Sequence, residues 1–349
     1  MHPESPFQAY RENKIFSSLN GLRALSIIAV IWHHTAGKSY DAPAILKFGY
    51  EGVALFFLIS GFLITTLLLR EKKRNGSIDL PAFFVRRSLR IFPLYFAVLG
   101  LYVVLVLVFE KSTMEGQEFF RNLVFFATYT SNIFVTLEGR VIFYYAWSLA
   151  AEEQFYLICA PLLSFFRNST FTLVVSVAAV MLITFQIVNF KQAELSKLAP
   201  LGLWLGTLSA LALHYEATYK VMYQLLGSRY TPIIALGLVL TTLELNLSHL
   251  LFIICGAAFL IACVIQENHS LYRLLTWPPL SFIGKISYGM YLLHMLCNAV
   301  VVKLFSKAGI SLAPWIVFAL VLMLTAALAS ISFYTFEKYF LQLKPKFDR

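Results

Sequence analysis

Residues 19–35 read LNGLRALSIIAVIWHHT, an apolar run with one arginine near its start and a histidine pair near its end. About 18 to 20 such residues are what a hydrocarbon core of about 30 Å asks of a helix. With this window, 19–37, ten more fill the chain: 48–69, 90–109, 119–137, 145–166, 170–190, 198–214, 231–247, 250–266, 282–304 and 313–336. Of the 349 residues 59% are hydrophobic and 13% charged, where a soluble domain carries about a quarter charged. A soluble globular protein is excluded, and an all-α polytopic membrane protein is expected.

The net charge of +10 would suggest nucleic acid in a soluble protein. Here the basic residues cluster between apolar runs, so topology-setting charge is the simpler reading and no nucleic-acid partner is expected. Between the second and third windows stand Arg70, Lys72, Lys73, Arg74, Arg86, Arg87 and Arg90 against Glu71 and Asp79. The positive-inside rule makes this stretch cytoplasmic, and two crossings earlier the N-terminus as well. The loop around Lys38 to Lys47 then faces outward. If all eleven windows crossed, the tail with Lys344 and Lys346 and the loop with Lys220 and Arg229 would lie outside, against the rule. Window 119–137 is the weakest, with Arg121, Asn122, Thr128, Thr130, Ser131 and Asn132. Read as a re-entrant or surface segment, it leaves about ten transmembrane helices with both termini cytoplasmic. Residues 1–349 are expected to form one membrane domain, flanked by cytoplasmic segments 1–18 and 337–349. The polar start lacks the pattern of a cleavable signal peptide, and Cys159, Cys255, Cys263 and Cys297 lack metal-ligand spacing, so no metal is expected.

A titratable side chain inside an apolar run costs several kcal/mol unless it faces the bundle interior, which makes each one a functional candidate. Arg23 and His34 are eleven positions apart, 20° past three full turns, so they share a helix face about 16 Å apart along the axis. That matches an extended pantetheine arm, with arginine on the phosphates of a coenzyme A thioester and histidine at its acyl carbon. The plain alternative is a snorkelling arginine and an interfacial histidine. His33, rotated by 100°, is read as packing. Arg87 and Arg90 are i, i+3 neighbours whose forks suit phosphate oxygens, although membrane anchoring explains one or two such arginines. In YYAWSLAAEEQFYL, Ser148, Glu152 and Tyr156 point one way and Glu153 another. Glu152 would orient a catalytic histidine or a sugar hydroxyl, or pair structurally with an arginine. IGKISYGMYLLHM sets Lys285 at the cytoplasmic end, with Tyr288, Tyr291 and His294 further in. Glu337 closes the last window and has Arg23, Arg87 or Arg90 as possible partners.

These stretches resemble the acyltransferase-3 family of integral membrane acyltransferases, across nearly the whole chain. LNGLRALSIIAVIWHH is similar to its opening signature, Arg or Lys, ten intervening residues, then His, here Arg23 and His34. FGYEGVALFFLISGFLIT at 48–65 is similar to its second-span signature, and RRSLRIFPLY at 86–95 carries its Arg-x-x-Arg element as Arg87 and Arg90. WSLAAEEQFYL at 147–157 and IGKISYGMYLLH at 283–294 are similarly close. Asn20 stands where the family often has Asp, and Tyr339 where Pro often follows the final Glu-Lys. The hydrolase-like extracytoplasmic domain that often follows the last span is not seen in this sequence, so a stand-alone acyltransferase is expected.

The resemblance implies transfer of an acyl group, most often acetyl, from cytoplasmic acyl-CoA to a hydroxyl of a carbohydrate at the outer face of the cell (inner) membrane. O-antigen, exopolysaccharide and other surface glycans are the acceptor classes it suggests. His34 and Glu152 are the expected catalytic residues, with Arg23, Arg87 and Arg90 on the donor. Trp147, Ser148, Glu153, Tyr288, His294 and Glu337 are further candidates. The rival reading is a transporter or flippase for a glycan or lipid-linked substrate, since buried charges also mark transport pathways. The Arg23/His34 register favours the enzyme, because a transporter has no need of a base about 16 Å from a phosphate-binding arginine.

Overall fold

The computed structural model describes residues 5–13, 15–36, 44–135, 141–165, 169–190 and 200–347, and every regular element among them is helical. The helices longer than ten residues are α1 (Ser18–Thr35), α2 (Glu51–Asn75), α3 (Leu80–Phe109), α4 (Met114–Ala127), α5 (Trp147–Phe165) and α6 (Ser169–Phe190). There follow α7 (Leu201–His214), α8 (Glu216–Leu226), α9 (Thr231–Glu244), α10 (His249–Val264), α11 (Pro278–Lys307) and α12 (Pro314–Ser332). Ten of the eleven apolar windows each hold one long helix. Of the outward loop expected around Lys38 to Lys47, residues 37–43 lie outside the described residues, and Ala44–Lys47 form one short helix.

Window 119–137 is the exception, and its local chemistry shows why. Thr113 caps α4, its hydroxyl accepting from the Gly116 N–H at 3.0 Å, and the helix stops at Ala127. Tyr129 then takes a left-handed φ of 54°, and only a short turn, Ser131–Phe134, follows. The window is therefore a broken element rather than a continuous span. A second difference concerns the basic loop, which shrinks to residues 76–79. Lys72, Lys73 and Arg74 extend α2 to Asn75, and α3 starts at Leu80, with Asp79 capping the Ala82 N–H at 3.0 Å. Lys, Arg and Glu are good helix formers, so charge alone does not end a helix. Helix α8, in the stretch read as a loop, is the third difference.

Four described helices are long and apolar enough to cross a membrane: Glu51–Asn75, Leu80–Phe109, Pro278–Lys307 and Pro314–Phe347. The pair α8 and α9, bent by 75°, makes a fifth if it forms one span. Helices α7 and α10, with 14 and 16 residues, reach only about 21 and 24 Å, which keeps them below that length. Large apolar side chains such as Val108, Phe109, Met181 and Ile331 remain more than half exposed, a surface suited to acyl chains. This is a membrane protein.

The chain forms two compact units, residues 1–67 with 202–330, and residues 68–201 with 331–349. In the first, α1 and α11 run parallel. Gly284 lies against the Asn20 carbonyl near the start of α1, and His294 and Asn298 meet His34 near its end. A Cβ on Gly284 would stand 1.8 Å from that carbonyl, so only glycine permits the approach. Helices α2 and α7 are also parallel, with Gly202 against Ala54 and Phe57 and Gly206 against Leu58 and Phe62. In the second unit α3 and α5 are antiparallel. Phe83 and Arg87 near the start of α3 meet Tyr156, and Tyr102 near its end meets Tyr145 just before α5. Gln154 of α5 holds the broken element, donating to the Tyr129 carbonyl at 2.8 Å and exchanging amide bonds with Asn132.

Candidate active site

In the first unit the site is a histidine pair at the seam of α1 and α11. His34, half-buried near the end of α1, has Nδ1 2.9 Å from the Val30 carbonyl and 3.2 Å from His294 Nε2. His294 is fully buried, with Nδ1 2.6 Å from the Tyr291 carbonyl. A carbonyl only accepts, so His34 Nδ1 carries the hydrogen and the lone pair stays on Nε2. Nε2 is the nitrogen able to take a proton. His33 stacks edge-on with Tyr50 at 5.5 Å, in line with a packing role. Arg23 is half-buried on the same helix, Lys285 is exposed and Tyr288 half-buried on α11.

In the second unit a charged cluster forms between α3 and α5. The Arg87 guanidinium lies 5.6 Å from the centre of the Tyr156 ring, and the buried Tyr156 hydroxyl donates to Glu152. Glu152, Glu153 and Arg87 all act electrostatically on Tyr156. The sequence reading set Arg87 on the donor and Glu152 with the base; here both belong to one cluster. Antiparallel packing brings the start of α3 level with the middle of α5, which spacing along either helix does not reveal. Arg86, the first arginine of the run, donates to Glu71 at 2.9 Å and to the Phe347 carbonyl at 2.6 Å, a structural tie. Arg90 attracts Glu337, which also accepts from Ser332 at 3.2 Å and closes a turn of π-helix, Phe333–Glu337. Trp147 is half-buried, and the buried Ser148 donates to the Tyr145 carbonyl at 3.3 Å.

Sequence reasoning missed one pair. Glu51, buried at the start of α2, has Oε1 2.7 Å from His249 Nδ1 at the start of α10. A carboxylate inside the apolar window 48–69 was the available signal. Among the described residues no group of three His, Cys, Asp or Glu side chains is arranged to hold a metal ion.

A family model described as an acyltransferase domain matches residues 16–334, which include both the histidine pair and the Arg87 cluster. The chain belongs to the acyltransferase-3 family. Among its curated relatives, the O-acetyltransferase OatA of Staphylococcus aureus (strain NCTC 8325 / PS 47) is 28% identical over 345 residues, covering 90% of this chain and 55% of the relative. The putative peptidoglycan O-acetyltransferase YrhL of Bacillus subtilis (strain 168) is 27% identical, covering 81% of this chain and 49% of its own length. The peptidoglycan O-acetyltransferase OatA of Listeria monocytogenes is 28% identical over 323 residues, 80% of this chain and 49% of the relative. The chain thus spans about half the length of these curated relatives. No solved structure matches.

Proposed function

We propose that this family member is a multi-pass membrane O-acyltransferase that moves an acyl group, acetyl in the first instance, from acyl-CoA on the cytoplasmic side to a hydroxyl of a glycan on the outer side. The observation that carries the reading is the His34 ring, whose Nδ1 faces the Val30 carbonyl and so bears the hydrogen, which makes Nε2 the basic nitrogen. Two of the relatives are named for peptidoglycan, which makes a peptidoglycan hydroxyl the first acceptor to test, with other surface carbohydrates next.

In this reading His34 Nε2 takes the proton of the acceptor hydroxyl as its oxygen attacks the thioester carbonyl. The C–S bond breaks, an ester forms, and the departing CoA thiolate recovers the proton from the imidazolium. In the second unit Arg87 and Arg90 offer their forks to donor phosphates, and in the first Arg23 is a further candidate for them. The Tyr156 ring under Arg87 holds that guanidinium in place before the donor arrives, and Glu152 positions Tyr156 beneath it. Glu337 lies near enough to Arg90 to attract it.

Three helix pairings fit ten crossings with both termini on one side, the side that the basic stretch from Arg70 to Arg90 makes cytoplasmic. Counted without window 119–137, α1 and α11 are the first and ninth crossings, α2 and α7 the second and sixth, and α3 and α5 the third and fourth. The first two pairs should then be parallel and the third antiparallel, as their contacts run. A crossing at 119–137 would reverse all three.

The test is transfer of radiolabelled acetyl from acetyl-CoA to peptidoglycan fragments by purified protein in liposomes. His34→Ala is expected to lower turnover by at least about 100-fold, and His33→Ala to be much milder. Equal turnover of wild type and His34→Ala would remove the proposed base.

A further inference from the structure

We infer that His294 is a positioning residue for His34: its Nε2 lone pair accepts the His34 Nδ1–H, fixing both the tautomer and the tilt of the reacting imidazole. The inference rests on the acyl-transfer reading above and names what holds the base of that reaction.

Three contacts fit one pair of neutral tautomers. His294 Nδ1 faces the Tyr291 carbonyl at 2.6 Å and so bears a hydrogen. In a neutral ring that leaves Nε2 a bare acceptor. His34 Nδ1 faces the Val30 carbonyl at 2.9 Å and so bears a hydrogen too. The 3.2 Å contact between His34 Nδ1 and His294 Nε2 then joins one donor to one acceptor. Any other pair of neutral tautomers sets a nitrogen lone pair against a carbonyl lone pair at 2.6 or 2.9 Å. A proton added to His294 Nε2 would oppose two N–H groups. A proton added to His34 Nε2, the proton that catalysis delivers, disturbs none of the three contacts and strengthens the Nδ1–H as a donor.

His294 also has the rigidity the role needs. Its ring is fully buried and lies 4.9 Å from the His34 ring and 5.6 Å from Tyr291. Its helix is pinned to α1 at a second level by Gly284 against the Asn20 carbonyl. The Val30 carbonyl alone is a weaker hold, because it is four residues back on the same helix and is placed to accept the helical N–H as well. In serine hydrolases a carboxylate orients the catalytic imidazole; here a neutral imidazole takes that place without adding a charge inside the bilayer.

The test compares His294→Phe, which keeps a ring and loses the acceptor, with His294→Gln, whose amide oxygen replaces it. In the acetyl-CoA assay the Phe variant is expected to lose on the order of ten- to a hundredfold in kcat, with KM for acetyl-CoA unchanged, and the Gln variant to recover part of the loss. In protein labelled with 15N-histidine, the His34 signals, assigned by their absence in His34→Ala, should show a protonated Nδ1 and a bare Nε2. In the Phe variant they should shift toward a mixture of tautomers. Wild-type kcat in His294→Phe, equal losses in both variants, or a wild-type His34 protonated at Nε2 would each overturn the role. If the Phe variant fails to fold, the wild-type spectrum and the Gln variant still decide. The spectra need no substrate, so they read the tautomer even if the transfer assay refutes the acyl-transfer reading.

Discussion

At the scale of single residues, neighbouring arginines face different partners. Arg86 and Arg87 are neighbours in sequence, yet one ties Glu71 to the Phe347 carbonyl while the other lies on Tyr156 beside Glu152 and Glu153. His269, in the turn before α11, shows a pH consequence. It is buried, with Nε2 3.0 Å from the hydroxyl of Ser18, the first residue of α1. Burial, partly offset by the Cys263 carbonyl, pushes this imidazole below its ordinary value of 6.5. Above that value the ring is neutral in both folded and unfolded chains, and it contributes no pH dependence. As pH falls below it, the unfolded chain takes up the proton first and stability is lost. Thermal unfolding in detergent should therefore show a lower midpoint at pH 5.5 than at 7.5. In His269→Gln the decline should be smaller, and an identical decline would assign the effect to other groups.

At the scale of elements, close helix contact depends on glycine at particular positions. Without water between them, helices in a bilayer associate through packing and interhelical hydrogen bonds, so backbone proximity matters more than apolar area. Gly284→Ala would drive a methyl group to 1.8 Å from the Asn20 carbonyl and force α1 and α11 apart. A loss of about 1–3 kcal/mol is expected, together with a fall in turnover, because the histidine pair sits on the same seam. Gly100→Ala is the control. Gly100 is exposed in α3 with nothing within 4 Å of an added Cβ, so that variant should unfold like wild type or up to about 1 kcal/mol later. Calorimetric unfolding of both proteins checks the pair, and equal midpoints would mean that the α1/α11 seam tolerates a side chain.

At the scale of the whole molecule, the assignment of sides depends on residues 110–144 leaving and re-entering at one face. A cysteine-free background, lacking Cys159, Cys255, Cys263 and Cys297, with single cysteines at Glu115 or Lys346, tests it with a membrane-impermeant thiol reagent. The Glu115 position should label in intact cells and the Lys346 position only after permeabilisation. Labelling at Lys346 in intact cells would refute the ten-crossing arrangement.

The sequence by itself determined the helical membrane class, the long helices in ten of the eleven apolar windows, the weakness of 119–137 and the family. Each follows from local composition and period, which a chain carries whatever it later packs against. It also singled out Arg23, His34, Arg87, Arg90 and Glu152, because a charge in an apolar run is costly wherever the run ends up. What only the tertiary structure decided is which of those groups meet. His294 reaches His34 across 260 positions of sequence, and Arg87 and Glu152 share Tyr156 because α3 and α5 run antiparallel. The direction in which two helices pack depends on the glycine contacts and turns of the folded chain, and the period of either helix contains nothing that sets it.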